Sequence, residues 1–451
     1  MADQERTSAE TEIARPRAGW KFAVRALGHR NYRLFFGGQS VSLIGTWMTR
    51  VATAWLVYRL TNSAFLLGVV GFSGQIPAFL LGPFAGVWVD RWNRHRVLVV
   101  TQILSMVQSF WLAALALTGR ITVWDIIGLS VFQGVINAFD MPARQAFVIQ
   151  MVEAREDLAN AIALNSSMVN GSRLVGPSLA GVLIAAAGEG YCFLIDGISY
   201  VAVVASLLAM RITSAQERRA GREVWHELRE GWSYAWSFAP IRAILFLLAL
   251  VSLVGMPYTV LMPVVAASVL HGGPHTLGFL MAASGIGALV GTVTLAMRKS
   301  VLGLGRLMAV SAGLFGAALV GFGLSRSLWL SLLLITAAGF GIMRQLAASN
   351  TILQTIVDED KRGRVMSFYS MAVMGMAPFG SLLAGAAANR IGAPWTLALG
   401  GALAVIGAGW FAGQLTMIRK IIRPIYLQLG IVPELVTGIQ AASALQTPPE
   451  D

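Results

Sequence analysis

The chain has 451 residues, of which 56% are hydrophobic and 12% charged; with its positive mean hydropathy this excludes an ordinary soluble domain and fits a polytopic helical membrane protein. The net charge of +12 would suit nucleic acid, but Arg and Lys gathered in the cytoplasmic loops of a membrane protein explain it more simply, so no nucleic-acid partner is expected. A single Cys excludes an internal disulfide, the five His form no metal-ligand spacing, and no Lys follows a Gly as a phosphate cradle requires, so no metal, no other cofactor, no ATP and no enzyme activity are expected.

Residues 1–33 are polar and mixed in charge, without the apolar core of a cleavable signal, and read as an N-terminal tail. Apolar segments able to cross a bilayer follow near 34–58, 64–89, 97–117, 123–147, 162–187, 190–210, 241–267, 276–297, 304–324, 327–348, 365–388 and 395–417. The tails and connections between them alternate between many and few Arg and Lys, which sets both termini in the cytoplasm of a multi-pass protein of the cell's inner membrane. A missed or invented span would invert that alternation from its position onward.

The longest connection, 211–240, contains Trp225, His226, Leu228 and Trp232 at helical spacing and reads as an amphipathic helix lying on the cytoplasmic surface. It divides the chain into two six-helix bundles, 34–210 and 241–417, followed by a cytoplasmic tail, 418–451. The halves echo each other weakly: Ile149–Glu153 resembles Leu353–Asp358, and each precedes a helix with a central proline, Pro177 or Pro378. Such duplication marks transporters whose halves rock around a midplane site. Gly278, Gly285, Gly287 and Gly291 form a small-residue face on one span, suited to close helix packing.

Between the second and third spans stands a charged stretch with Gly86, Asp90, Arg91, Asn93, Arg94, His95 and Arg96. With this loop, the spans and the two halves, the chain resembles a major facilitator superfamily transporter, whose loop at this place reads Gly-x-x-x-Asp-Arg-x-Gly-Arg-Arg/Lys. Gly86, Asp90, Arg91 and Arg94 match; Asn93 replaces the second Gly, and the turn is expected to survive because Asn tolerates left-handed backbone. The copy expected in the second half, Gly291–Arg298, has Leu295 in place of the Asp. The resemblance implies an all-α fold of twelve transmembrane helices. It also implies a gating role for this loop, with Asp90 accepting from the N-terminus of helix 11 near Arg364–Ser367 and Arg94 completing a latch.

In the fifth span Ser172, Arg173, Gly176, Pro177 and Gly181 resemble the Gly-x-x-x-Gly-Pro-x-x-Gly-Gly element of antiport-type exporters, in which the proline opens the helix and small neighbours allow close packing. The Arg-x-x-Gln-Gly element common in such exporters is incomplete, because Ser130 stands before Gln133-Gly134 where Arg is expected. Gly45–Ala52, Asn137–Gln145 and Lys361–Ser367 resemble the branch of enterobactin-exporter-like and macrolide-efflux-like permeases.

Ionisable groups within spans need a partner or a purpose. Asp140, Arg144 and Arg173 are the candidates for proton or charge coupling; either Arg144, one turn on, or Arg173 on the next helix is geometrically able to pair with Asp140. Arg50 and Asp196 are a candidate outer charge pair, and Arg344 is expected to snorkel. The superfamily's cavity-lining helices suggest Trp47, Gln133, Asn137, Tyr258 and Gln345 as wall residues. The expected activity is export of small amphipathic organic molecules by a monomer in the lipid bilayer, by alternating access with proton antiport. The alternatives are an importer of the same fold and a non-transporting membrane scaffold or sensor.

Overall fold

The computed structural model describes residues 24–152, 155–211, 236–298 and 300–429, and among them the chain is helical with no strand. After a single turn at Arg25–Gly28 come α1 (Arg30–Thr61), α2 (Ala64–Arg91), α3 (Arg94–Leu117), α4 (Val123–Met151), α5 (Leu158–Ala187) and α6 (Glu189–Leu208). Then follow α7 (Ala239–Val254, resumed at Tyr258–Val264 and a π turn Val265–Val269), α8 (Pro274–Ala296), α9 (Leu304–Leu324) and α10 (Leu328–Ile356). The last are α11 (Glu359–Ser370, a π turn Met371–Gly375, and Met376–Ile391) and α12 (Ala393–Gln428). Residues 1–23, the linker over 212–235 with Trp225 and Trp232, and the tail beyond 429 lie outside the described residues.

Eleven of these spans are long and apolar enough to cross a membrane. The exception among the twelve expected is α1, whose 32 residues include Arg30, Arg33, Gln39, Arg50 and Arg59. It takes its place by packing against α5 and α6.

Helix ends follow local chemistry. Ser63 Oγ accepts from the Leu66 amide at 3.3 Å to start α2, and Thr122 with Asp125 forms a reciprocal box at the start of α4. Asn93 corrects the expectation drawn from its place in the loop. Its backbone is not left-handed (φ −69°, ψ 108°), and its Oδ1 accepts from the Arg96 amide at 3.1 Å, so it caps α3. The left-handed Asn is instead Asn62 (φ 49°), which closes α1. Pro142 and Pro177 lie inside α4 and α5, and the π turn of α11 precedes Pro378, whose missing amide and ring an unbroken α-helix would have to absorb.

Helices α1–α6 pack among themselves, chiefly α2 on α4, α1 on α6 and α5, and α3 on α6. Helices α7–α12 do likewise through α9 on α12 and α10, α8 on α10, and α7 on α12. The two sets meet along two seams, α5 on α8 and α2 on α11. Glycine makes both possible. A Cβ on Gly278 would lie 2.8 Å from the Pro177 carbonyl oxygen, and one on Gly385 would lie 2.8 Å from the Ala64 carbonyl oxygen. Both contacts sit toward the helix ends near Ser63 and Ala187. There Tyr58 Oη and Ser268 Oγ, 2.5 Å apart, also tie α1 to α7.

Candidate functional site

On α4, Asp140 is 6% exposed and is held from three directions. Thr101 Oγ1 donates to its Oδ1 at 2.9 Å and Gln102 Nε2 to the same oxygen at 2.7 Å, both from α3. Arg144, one turn along α4, pairs with Oδ2. Of the two partners open to Asp140 in the sequence, the structure gives Arg144, whose side chain is a quarter exposed. A carboxylate in this setting depends on its partners, since an uncompensated buried charge is far costlier than the pair.

A second carboxylate, Asp196 of α6, is 2% exposed. Its Oδ2 accepts from Thr49 Oγ1 of α1 and Ser109 Oγ of α3, each at 2.9 Å, while Oδ1 is buried with no hydrogen bond. Gly45 leaves it room, because a Cβ there would stand 2.7 Å from Oδ1. The expected partner Arg50 is within electrostatic reach of Asp196 but makes no ion-pair contact with it.

Between these carboxylates runs a feature absent from the sequence-based expectation. Thr101, Gln102, Ser105, Gln108 and Ser109 are all buried and share one face of α3 through their spacing of three, four and seven. The stripe spans about 12 Å at the helical rise, with Asp140 at its Thr101 end and Asp196 at its Ser109 end. Gln133 of α4 joins its middle, its Nε2 donating to Ser105 Oγ and to Asn137 Oδ1, both at 3.2 Å. The signal was present in the sequence: five polar residues at helical spacing in an otherwise apolar span.

Arg173 is not at Asp140. Its guanidinium lies over the indole of Trp47 on α1, 5.7 Å from the ring centre, and the guanidinium of Arg50 lies over the same ring at 4.7 Å. The proline-glycine element of α5 arranges this meeting. Ser172, Gly176, Pro177 and Gly181 are buried. A Cβ on Gly176 would come within 2.5 Å of Trp47 Cβ, so this glycine seats Trp47, while Gly181 seats α8.

The remaining candidates are dispersed. Gly86, Asp90, Arg91 and Arg94 lie at the α2–α3 turn; Asp90 is exposed and accepts from Arg94 at 3.0 Å. Tyr258 is 1% exposed, with its hydroxyl 2.7 Å from Ser284 Oγ. Gln345 is wholly buried, and neither polar atom of its side chain has a hydrogen bond. Arg344 lies over Phe340 at 5.2 Å with its Nε buried and without a hydrogen-bond partner. At the other end of α1, Arg59 makes a two-pronged contact with Glu189 at 2.8 and 3.0 Å, a pair not anticipated from the sequence. A cavity of about 380 Å³ between Thr292 and Arg298 of the α8 end, Leu304 and Thr351 contains none of the groups above. Among the described residues its one charge is Arg298, which donates to the Ser300 carbonyl.

Comparison with known proteins completes the picture. The model of a family described as transmembrane secretion effector, of major facilitator type, matches residues 23–421. The staphyloferrin A transporter of Staphylococcus aureus is 27% identical over 58% of this chain and 66% of that one. The macrolide efflux protein A of Streptococcus pyogenes is 24% identical over 60% and 68%, and the multidrug efflux pump Tap of Mycolicibacterium fortuitum 27% over 77% and 87%. The chain thus spans just under two thirds of the first of these relatives. Among solved structures, an inward-facing bacterial homolog of the human lysosomal transporter Spinster superposes with a TM-score of 0.66, 13% identity, and coverage of 87% of this chain and 97% of that one. A bacterial homologue of the iron transporter ferroportin gives 0.65, 16%, 85% and 98%.

Proposed function

Because the chain belongs to the transmembrane secretion effector family of major facilitator transporters, which are transporters and not enzymes, we propose that it exports small amphipathic organic molecules by alternating access, with protons moving the opposite way. It works as a monomer in the cell's inner membrane, both termini cytoplasmic. The bundles 34–210 and 241–417 rock about the α5–α8 and α2–α11 seams. Relatives named for macrolide efflux and multidrug efflux support export, and the staphyloferrin A transporter supports a small organic cargo.

The observation that carries the coupling is the buried polar stripe of α3 between Asp140 and Asp196. The two carboxylates stand at the two ends of one polar face. Separate hydrogen-bonded groups around Asp140, Ser105 and Asp196 mark a path a proton could follow as these groups re-pair, and Arg144 supplies the counter-charge when Asp140 is ionised. On the same reading the α2–α3 turn gates the cytoplasmic side. Asp90, exposed and paired with Arg94 here, latches onto the start of α11 when the halves rock closed on that side.

The test is transport in cells and vesicles. Cells carrying the chain should retain less of a panel of dyes and metabolites than cells without it, and accumulation inside the producing cells overturns export. In vesicles with an imposed pH gradient, Asp140→Asn should abolish gradient-driven movement while leaving the protein in the membrane. Unchanged coupled movement removes Asp140 from the mechanism.

A further inference from the structure

The charges inside the spans do not balance, and the imbalance points to the cargo. Asp140 is taken by Arg144, Thr101 and Gln102, and Glu189 by Arg59. Asp125 is held in its helix cap. Three arginines, Arg50, Arg173 and Arg344, make neither a hydrogen bond nor an ion pair among the described residues, and each lies over an aromatic ring. Two of the three share one ring, that of Trp47. Both guanidiniums lie over that ring, 4.7 and 5.7 Å from its centre, so each raises the electrostatic cost of the other. Asp196 offsets part of the charge on Arg50 from a distance, and nothing in contact offsets Arg173.

Position strengthens the case. Arg50 is exposed, yet its guanidinium lies over Trp47, which Gly176 of α5 seats, so the side chain stands at the meeting of α1 and α5. Trp47 and Arg173 are half-buried beside it. Gly285 of α8 packs on the backbone of Arg173, placing that residue where the two helix sets meet. Counted along their helices, Arg50 and Arg173 lie about 16 and 21 Å from the helix ends near Ser63 and Ala187, several turns in from either end. A guanidinium is a planar fork matched to carboxylate oxygens, and an indole offers a flat apolar face.

We infer that Arg50, Trp47 and Arg173 form a binding site for an organic anion that carries carboxylate groups beside a flat or apolar face, and that the cargo belongs to this chemical class. This rests on reading the chain as an exporter. Binding such an anion relieves the repulsion between the guanidiniums, so the loaded site is electrically quieter than the empty one. A lipophilic cation of similar size meets two guanidiniums in contact distance of the ring and no carboxylate there.

The purified full chain in detergent tests this by calorimetric titration with phthalate, 1-naphthoate and citrate, using tetraphenylphosphonium as the cationic comparison. At least one carboxylate should bind, more weakly as salt is raised, with affinity falling roughly ten-fold or more in Arg50→Gln and in Arg173→Gln. Lysine at either position should keep more of the affinity than glutamine, which separates loss of charge from loss of fold. Tetraphenylphosphonium should not compete. Failure of all three carboxylates to bind folded protein, equal binding by the glutamine variants, or preference for the cation overturns the site. Movement in vesicles is scored separately. Carboxylate binding with this charge pattern but no gradient-driven movement leaves the site standing and removes export, whereas gradient-driven movement of the cation alone keeps export and removes the site.

Discussion

The two helix sets share an architecture and divide the chemistry unequally. In α1–α6 the buried polar residues include Asp140, Glu189 and Asp196 together with Gln102 and Gln108. In α7–α12 they are almost all hydroxyls, such as Ser252, Ser284, Ser311, Ser331 and Ser349, with Gln345 as the one amide and no buried carboxylate among the described residues. Several of those hydroxyls bond within their own helix, as Ser349 does to the Gln345 carbonyl at 2.8 Å, and so cost little to bury. One set therefore holds carboxylates that take partners from other helices, and the other is packed chiefly through hydroxyls and glycines.

The sharpest way to break this contrast is to remove one member of a buried pair. Asp140→Ala leaves Arg144 without its carboxylate and should cost about 3–5 kcal/mol, read as loss of folded protein and a lower melting temperature in detergent. The double variant Asp140→Asn/Arg144→Gln should recover most of that stability without recovering transport. If the single variant is as stable as the parent, Asp140 is not what holds α3 to α4 through Thr101 and Gln102.

The next effect concerns the seams, where the two sets should behave alike. Valine at Gly278 or at Gly385 pushes a branched side chain into backbone 2.8 Å from the missing Cβ, and overpacking of this kind costs about 1–3 kcal/mol. Transport should slow in both variants. A large effect at one seam and none at the other would show that the halves hinge along a single contact.

Smaller still are single hydroxyls. Ser109→Ala removes a donor to Asp196 and Ser284→Ala removes the partner of Tyr258, each worth about 1 kcal/mol of stability. The asymmetry predicts that only Ser109→Ala alters transport driven by a pH gradient. Equal loss of transport in both would make the α3 stripe ordinary packing.

Much of this division was readable in the sequence, and the part that was not has a physical cause. Span positions are fixed by hydropathy and by the alternation of basic loops, which are properties of the chain itself. Asp140 and Arg144 are legible as neighbours because one turn of one helix sets their spacing. The pairing of Asp140 with α3, the meeting of Arg173 with Trp47, and the choice of Thr49 in place of its neighbour Arg50 as the bonded partner of Asp196 depend on how helices are rotated and shifted against one another. Adjacent positions on a helix differ by about 100° in direction, so a residue-level pairing across helices is decided by packing that no local pattern records. The stripe on α3 is a different case, because its spacing alone places it on one face. What the sequence lacked there was the identity of the two carboxylates at its ends.

Gln345 gives the finest test of the contrast. It is fully buried in α10, and both polar atoms of its side chain go without a hydrogen bond, although it was a candidate for the cavity wall. Burying an amide without partners costs about 1–3 kcal/mol in proteins, and methionine fills a similar volume without that cost. If the second set serves mainly as packing surface, Gln345→Met should raise the melting temperature and leave transport within a factor of two or so of the parent. If Gln345 turns into the cavity when the halves rock, the same substitution should stabilise the resting protein and still slow transport, because methionine holds α10 in the state where position 345 is buried. Measuring stability and transport on this one variant separates a passive second half from one that exposes its single buried amide during the cycle.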